Sequence, residues 1–149
     1  MEWFTKRMEA LDAHTLYDII ALRINVFIIE QKCLYEELDH KDFKATHVFS
    51  LGKNRKIAAY LRVLDPGVSY DEVSIGRVLV HPEERGTGLG RELMLTGIEV
   101  ARERFGKDCV IRISAQAYLE KFYHSLGFIT LSEVYLEDDI PHIEMILKP

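Results

Sequence analysis

Hydrophobic positions near the start of the chain recur first with a period of two and then with a helical period. Residues 3–8, WFTKRM, alternate as a short strand does. Asp12 then stands where a helix N-cap is expected, and apolar residues follow at helical spacing as far as Ile29. Residues 30–46 are acidic and show neither period, which predicts a loop or short helical turn over one face.

The next three apolar segments have the composition of strands. Residues 47–52 and 56–65 are separated by Lys-Asn-Arg, and this spacing predicts a β-hairpin. Residues 73–80, VSIGRVLV, are rich in β-branched residues and predict a further strand.

From residue 73 onward the order of elements is strand, glycine-rich loop, helix, strand. Apolar residues lie on one stripe of a helix predicted over 89–105, and Gly106 is placed to end it. Residues 108–115, DCVIRISA, predict the strand that follows. We therefore expect a β-α-β unit over 73–115 with parallel strands and a right-handed crossover.

The C-terminal segment returns to short elements. The pattern predicts a short helix over 119–126, a strand from Phe128 to about Tyr135, an acidic turn LEDDIP, and a final strand over 142–147. The chain as a whole is therefore expected to have an α/β fold. Its sheet should be mixed and largely antiparallel, with one parallel pair at its middle and helices flanking it.

Length and composition favour a single domain over residues 1–149, with 48% hydrophobic residues to form a core. No apolar run approaches the length of a membrane span and the N-terminus lacks the apolar stretch of a signal peptide, so we expect a soluble, cytoplasmic protein without a membrane partner. Cys33 and Cys109 stand alone and are interpreted as reduced thiols, and no metal site is predicted. The net charge of −5 argues against nucleic-acid binding and is compatible with a cationic substrate.

The segment EERGTGLG, residues 83–90, places three glycines at the start of the predicted helix. Glycine allows close approach of the backbone, and a helix N-terminus offers unpaired N–H groups that attract anions. Gly86, Gly88 and Gly90 are spaced G-x-G-x-G, which does not fit the dinucleotide fingerprint G-x-G-x-x-G. They do not fit the P-loop either, because no Gly-Lys-Ser/Thr follows. These glycines alone therefore indicate either a tight turn into the helix, which an isolated G-x-G favours, or an anion site of another kind, and the flanking residues must decide.

Two motifs together resemble the GNAT acetyltransferases. The segment VLVHPEERGTGLGRELM matches the Arg/Gln-x-x-Gly-x-Gly/Ala signature of that family through Arg85, Gly88 and Gly90, and FYHSLGF matches its aromatic pair followed by Gly-Phe. The order of elements agrees over essentially the whole chain. Segments such as LRINVFIIEQKCLYEELDHKDFKATH and LEDDIPHIEM are similar to the ElaA-like branch, which usually carries glycine where this chain has Asp139.

The resemblance implies the acyl-CoA N-acyltransferase fold, in which the two parallel strands splay and the pantetheine arm of acetyl-CoA lies in the gap. On this basis the coenzyme A pyrophosphate is expected at the glycine loop and the thioester beside the strand that precedes it. The residues expected to bind the cofactor are Leu79, Val80, Arg85, Gly86, Thr87, Gly88, Leu89, Gly90, Arg91, Gln116 and Tyr123.

Transfer of an acetyl group to a primary amine needs a base for the ammonium, because an amine with a pKa of about 10.4 is protonated at neutral pH. It also needs an acid for the departing thiolate, and the resemblance assigns this role to Tyr123. The remaining candidates are acids and histidines near the predicted site, and the sequence does not choose among them. We take Glu30 and His47 as candidate bases, and Glu36, Arg62, Arg77 and His142 as candidate contacts to the acceptor.

Two other functions are compatible with parts of the sequence. A module that senses acyl-CoA without turnover needs only the glycine loop, although Tyr123 favours an enzyme. A nucleotide-binding protein is disfavoured because the P-loop lysine and the ribose-binding acid are missing. Homodimerisation is a further hypothesis, since relatives commonly dimerise and the predicted strands 3–8 and 142–147 are expected at sheet edges.

Overall fold

The computed structural model describes residues 1–149 and contains three α-helices and one sheet. The helices are α1 (Ala13–Ile24), α2 (Leu89–Phe105) and α3 (Glu120–Ser125). The strands are β1 (Trp3–Arg7), β2 (Ala45–Leu51), β3 (Ile57–Leu64), β4 (Val73–Val80), β5 (Ile111–Gln116), β6 (Ile129–Thr130), β7 (Tyr135–Glu137) and β8 (Ile140–Leu147). Their order is β1-β2-β3-β4-β5-β8-β6, with β7 also on β8.

Only β4 and β5 pair in parallel, and the other strand pairs are antiparallel. The predicted mixed sheet with a central parallel pair is therefore confirmed. No helix combines the length and the apolar character that crossing a bilayer requires.

The two faces of the sheet carry separate hydrophobic clusters. On one face α2 and Tyr123 of α3 pack against β3, β4, β5 and β8. On the other face α1 and the turn after it pack against β2, β3 and Leu79 of β4. Each helix thus buries its apolar stripe against the sheet.

Helix α1 begins where the sequence predicts and then widens. The Asp12 side chain accepts a hydrogen bond of 2.8 Å from the Thr15 N–H, as an N-cap should. The helix continues through a π-helical turn, Asn25–Glu30, so the predicted extent to residue 29 is confirmed. Such wide turns often occur at functional sites.

The parallel pair at the centre of the sheet is very short. Pairing joins Val73 to Ile111 and Ser74 to Arg112, and it goes no further along either strand. The later residues of β4 therefore have β3 on one side and no strand on the other. This splay is what the family resemblance implies, and it opens a gap in the middle of the sheet.

A β-bulge lies in β4 beside this gap. Tyr60 pairs with Leu79 and Arg62 pairs with Gly76, so β4 contains one more residue than β3 between these positions. Arg77 occupies the bulge with φ of 52°, a left-handed conformation that costs a non-glycine residue about 1–2 kcal/mol. Interactions of its side chain must offset this cost.

The bulge reverses the alternation of side chains along β4. Before the bulge, the odd-numbered residues Val73 and Ile75 face α2. After it, the even-numbered residues Val78 and Val80 pack against the same side. Leu79 lies on the α1 side. Strict alternation along the strand would place Ile75 and Leu79 on one face.

The C-terminal region differs from the sequence prediction. The predicted strand from Phe128 to Tyr135 is instead two short strands, β6 and β7, which pair with successive parts of β8. Strand β8 also pairs with β5, so the prediction that residues 142–147 form a sheet edge is wrong. Between β6 and β7 the Leu131 N–H donates a hydrogen bond of 2.8 Å to the Glu144 carbonyl of β8.

The β7–β8 turn contains two residues in the left-handed conformation. Asp138 and Asp139 have φ of 50° and 63°, so Asp139 takes this conformation without a glycine.

A buried ionic network joins α1, the segment 31–44 and the sheet. Arg23 donates from Nε to Glu37 at 2.7 Å and from Nη1 to Asp42 at 2.8 Å. Arg62 donates to Asp42 at 3.0 Å and to Asp39 at 2.6 Å. Arg77 pairs with Glu37 through Nε and contacts Asp39 at 3.4 Å. Three guanidinium groups therefore neutralise three carboxylates.

The pKa values of two acids in this network respond to the arginines. Burial disfavours the ionised form of Asp42, but the hydrogen bonds and charges of Arg23 and Arg62 hold its pKa below the usual value. The same balance, with Arg62 and Arg77, holds the pKa of Asp39 well below its usual range. Because both pKa values are depressed in the folded state, the stability they contribute is present above about pH 4 and is lost as the pH falls through the folded values.

Arg23→Met should destabilise the protein by about 3–5 kcal/mol at pH 7, because it leaves Glu37 and Asp42 with less compensation for burial. Urea unfolding measures this difference. The loss should shrink as the pH is lowered toward 5, since buried carboxylates that have lost part of their compensation take up protons more readily.

The matched control is Arg104→Met, because Arg104 is exposed and lies 3.9 Å from Asp65. It should change the free energy of unfolding by less than about 0.5 kcal/mol. Equal effects of the two substitutions would contradict the role given to the network.

Candidate active site

A cleft of about 850 Å³ occupies the gap between β4 and β5. Its walls come from the π-helical turn, both splayed strands, the start of α2, α3 and the β7–β8 turn. The predicted site residues that line it are Glu30, Glu36, Arg62, Arg77, Leu79, Val80, Arg85, Gly90, Gln116, Tyr123 and His142. The structure thus brings together residues that are far apart in the sequence.

The glycine loop lies where β4 leads into α2. Gly86 and Gly88 have φ of 80° and 84°, and a side chain at either position would meet no atom within 4 Å. None of the N–H groups from Arg85 to Arg91 donates to another part of the protein. These groups form a concave array of donors at a helix N-terminus, which is suited to an anion such as a pyrophosphate.

Gly86, Thr87, Gly88, Leu89 and Arg91 lie in this loop or the first turn of α2 and are not part of the cleft wall. The Arg91 guanidinium donates to Ser125 of α3 at 3.1 Å. Arg85 donates from Nε to the Val80 carbonyl at 3.2 Å and pairs through Nη1 with Glu30 at 2.8 Å. Both arginines can therefore add positive charge to the donor array.

Tyr123 lies on the α2 side of the cleft. Its ring packs edge-on against Phe122 and Phe128, with centroid distances of 5.1 and 5.8 Å. The residue is only 6% exposed and lines the cleft, and no side-chain or backbone group of the protein hydrogen-bonds its hydroxyl. Burial raises the pKa of Tyr123, so the hydroxyl keeps its proton at neutral pH and remains a free donor.

A polar group lies at the opposite side of the gap, on β5 and β8. His142 is 7% exposed, and its Nδ1 lies 2.7 Å from the Ile140 carbonyl oxygen. Because a carbonyl can only accept, Nδ1 carries the proton and Nε2 of the neutral ring has a lone pair. Nε2 lies 3.4 Å from Glu137, which also accepts from Ser114 at 3.1 Å. This arrangement can accept a proton from a cleft ligand.

Segment 30–33 crosses the mouth of the cleft. Besides the Glu30 contact with Arg85, the Gln116 amide donates to Gln31 at 3.4 Å, and the Cys33 thiol donates to the Asp138 carbonyl at 3.1 Å. These contacts join the π-helical turn to β5 and the β7–β8 turn. The acceptor end of the cleft is consequently enclosed from two sides.

His47 lies away from the cleft, contrary to what a catalytic base requires. Its side chain is fully buried, and Nδ1 accepts from the Tyr60 hydroxyl at 2.7 Å while Nε2 donates to the Asp42 carbonyl at 3.1 Å. Burial lowers the pKa of His47, so the ring is neutral, and both nitrogens are already used. The structure therefore gives this histidine a place in the ionic network.

Arg62 and Arg77 reach the cleft but hold protein carboxylates. Arg62 donates to Asp39 and Asp42, and Arg77 pairs with Glu37. The guanidinium carbon of Arg77 lies over the Tyr35 ring, 5.4 Å from the ring centroid. Carboxylates of the protein already occupy Nη1 and Nη2 of Arg62 and Nε and Nη2 of Arg77, so an acceptor carboxylate would have to compete with them. Their contacts instead hold segment 31–44 and the β4 bulge in place.

Some residues of the site were not identified from the sequence. Ser114, Tyr135 and Glu137 form a hydrogen-bonded group beside His142. The sequence pattern predicted a single strand over 128–135. This prediction missed the short β7–β8 hairpin, which brings Glu137 to the cleft. The sequence signal was the pair Asp138–Asp139, because aspartate tolerates the left-handed conformation that a two-residue hairpin turn requires.

Comparison with known proteins agrees with this geometry. The family model described as the acetyltransferase (GNAT) domain matches residues 15–149. A UPF0039 protein of Schizosaccharomyces pombe is 43% identical over 148 residues, covering 99% of this chain and 97% of its own. Protein ElaA of Escherichia coli is 38% identical over 97% of this chain and 95% of its own, and its crystal structure gives a TM-score of 0.92. An acyl-CoA N-acyltransferase from Pseudomonas aeruginosa is similar with a TM-score of 0.91, 39% identity and 99% coverage of both chains.

Gly88→Glu should weaken coenzyme A binding by about tenfold or more, because it places a carboxylate among the donors that face the pyrophosphate. Isothermal titration calorimetry measures the affinity. The control is Gly106→Glu at the other end of α2, where φ is also positive at 106° and no atom lies within 4 Å of the added Cβ. Equal affinity of both variants for coenzyme A would contradict the loop as the pyrophosphate site.

Proposed function

The chain belongs to the GNAT family of acetyltransferases, and we propose that it transfers the acetyl group of acetyl-CoA to a primary amine of a small molecule or peptide. Acyl transfer from an acyl-CoA is the chemistry of this family, and the protein is an acyltransferase that uses acetyl-CoA. The amine acceptor and the roles of individual residues are our proposal.

The observation that carries the proposal is the gap that begins after the Ser74–Arg112 pair and leads to the unpaired donors of Arg85 to Arg91. An extended pantetheine arm can lie against β4 as an added strand would, with its pyrophosphate at the loop. Leu79 and Val80 then lie beside the thioester. We assign stabilisation of the developing oxyanion to a backbone N–H at one of these two residues.

Tyr123 is the proposed general acid. As the amine nitrogen bonds to the thioester carbon, a tetrahedral intermediate forms, and its collapse breaks the carbon–sulfur bond. The departing thiolate accepts a hydrogen bond or a proton from the Tyr123 hydroxyl, which belongs to a cleft-lining residue and has no hydrogen-bond partner in the protein. The elevated pKa keeps this donor protonated at neutral pH.

His142 is the proposed general base, in place of His47. Its Nδ1–H is fixed by the Ile140 carbonyl, and Nε2 can take the proton that the acceptor ammonium must lose. Glu137 at 3.4 Å can then stabilise the imidazolium that forms. Glu30 also lines the cleft but is engaged by Arg85, which makes it a weaker candidate.

A thiol-release assay with purified protein, acetyl-CoA and a panel of primary amines tests the proposed function. Thiol release that depends on the amine, with mass spectrometry showing one added acetyl group, is the expected result. A protein that binds coenzyme A but acetylates no amine would instead be an acyl-CoA sensor.

Tyr123→Phe should lower turnover by about 10²-fold while coenzyme A affinity and thermal stability change little, because only the hydroxyl is removed. The control is Tyr118→Phe, since Tyr118 also lines the cleft but is 77% exposed. Steady-state kinetics on one confirmed acceptor measures both variants. Turnover of Tyr123→Phe at the wild-type rate would exclude the role of this hydroxyl.

His142→Gln should lower kcat/KM at pH 7 by about 10²-fold, because the acceptor ammonium loses its base. The deficit should shrink as the pH approaches the acceptor pKa of about 10, where the amine is already neutral. Added imidazole should restore part of the rate. His124→Gln, on the exposed side of α3, is the control. A pH-independent deficit without imidazole rescue would indicate a structural role for His142.

A further inference from the structure

The carboxylate of Glu137 is held beside His142 without help from a lysine or arginine. Its side chain is 50% exposed, and its one ion-pair contact is with the His142 Nε2 at 3.4 Å. A glutamate with this exposure can turn toward water by rotation about its side-chain bonds. Other groups must therefore fix its position beside the histidine.

The strand register places candidates for this task on the same face of the sheet. Antiparallel pairing sets Gln116 of β5 and Tyr135 of β7 opposite His142 of β8. Paired residues of an antiparallel sheet project to the same face, and so do residues two apart along one strand. Ser114 and Glu137 therefore lie on the same face as His142, and all three line the cleft.

The donor and acceptor capacities of these groups fix the direction of each hydrogen bond. A carboxylate can only accept, so the Ser114 hydroxyl donates its single proton to Glu137 at 3.1 Å. The hydrogen bond between Ser114 and Tyr135 must then be donated by the Tyr135 hydroxyl. The Tyr135 ring also stacks on the His142 ring, with 6.3 Å between the centroids. These two residues, the hydroxyl pair, thus direct their donors toward the Glu137 carboxylate.

Neutral donors hold a carboxylate in place without cancelling its charge. The carboxylates of the ionic network are instead bound by guanidinium groups, which neutralise them. A serine hydroxyl fixes one Glu137 oxygen by a hydrogen bond and leaves the negative charge of the group intact. That charge can stabilise an imidazolium on His142 because no cation has already neutralised it.

The other charged groups near the hydroxyl pair do not reach Glu137. Arg112 of β5 pairs with Glu144 at 3.1 Å and with Glu72 at 3.7 Å, and these two acids occupy its guanidinium. The further ionisable residues that line the cleft toward its acceptor end are Cys33, Glu36, Lys41, Tyr70 and Asp138, and none of them makes an ion pair with Glu137.

We propose that Ser114 and Tyr135 are positioning residues for the acetyl transfer, and that they act by holding the Glu137 carboxylate against His142. This inference rests on the proposed N-acetyltransferase function and on His142 as its base. When the acceptor ammonium gives a proton to Nε2, the electron pair of that N–H bond stays on the amine and the imidazole becomes an imidazolium. Glu137 stabilises this charge from a fixed position, and neither hydroxyl transfers a proton.

A double-mutant cycle tests whether Ser114 acts through Glu137. Ser114→Ala should lower kcat by about fivefold to tenfold and leave the KM for acetyl-CoA within about twofold, because only the hold on Glu137 is lost. In a Glu137→Gln background the same substitution should change kcat by less than about twofold, since no carboxylate is left to hold. An equal loss of kcat in both backgrounds would overturn the inference.

Conservative variants separate positioning from a loss of packing. Ser114→Thr keeps the hydroxyl on a strand position that suits a β-branched residue, so it should restore most of kcat. Tyr135→Phe keeps the ring on His142 and removes only the donor to Ser114, so kcat should fall by about threefold. Tyr17→Phe, which is 75% exposed on α1, is the control and should leave kcat unchanged. A threonine variant as slow as the alanine variant would contradict the role of the hydroxyl.

The pH profile of kcat/KM gives a readout that packing alone would not move. Loss of a negative neighbour disfavours the imidazolium, so the acid limb of the profile should move to lower pH in Ser114→Ala and further in Glu137→Gln. The Tyr17→Phe control should keep the limb of the wild-type protein. An unmoved limb in Ser114→Ala would refute the positioning role.

The outcomes distinguish this inference from the function on which it rests. Acetylation of amines with independent effects of Ser114→Ala and Glu137→Gln would leave the N-acetyltransferase function intact and refute the positioning role. Coenzyme A binding without acetylation of any amine would refute the proposed function, and this inference with it.

Discussion

The structure depends on holding two parallel strands apart in the middle of a sheet. Strands β4 and β5 share only two residue pairs, although both continue well beyond them. Unpaired strand edges expose backbone donors and acceptors, and such edges tend either to close or to recruit another strand. In this protein the gap is kept open by apolar packing of α2 and α3 on one face and by the ionic network on the other.

The network explains how a charged cluster serves a structural purpose near a binding cleft. Arg77 sits in a left-handed bulge, and its contacts with Glu37 and Asp39 offset that strain while fixing segment 31–44 over the sheet. Because its three arginines and three acids neutralise one another, the network adds little net charge to the cleft.

The sequence predicts most of the elements because their signals are local. The limits of α2, the Asp12 cap and the glycine loop follow from residues within one or two turns of each feature. Features that depend on distant pairing could not be read in this way. Nothing near His47 reveals that Tyr60 and the Asp42 carbonyl occupy both of its nitrogens.

The same limit applies to the C-terminal hairpin and to β4. Alternation cannot show that β4 gains a residue at Arg77, because the bulge is defined only by its register with β3. Likewise, β6 and β7 are too short for a periodic pattern, and their pairing with β8 decides where Glu137 lies. The glycine loop and its place before α2 were therefore predictable, whereas the β4 bulge and the β7–β8 hairpin required the tertiary structure.

Hydrogen exchange with and without coenzyme A tests the central claim that the cofactor occupies the gap and the glycine loop. Binding should slow exchange of the amides of residues 85–91 and of residues 76–80 in β4, since these donors gain a partner or lose contact with water. The end of α2 near Gly106 and the β1–β2 edge should exchange as before. Protection confined to other regions, with residues 85–91 unchanged at saturating coenzyme A, would contradict this account of the site.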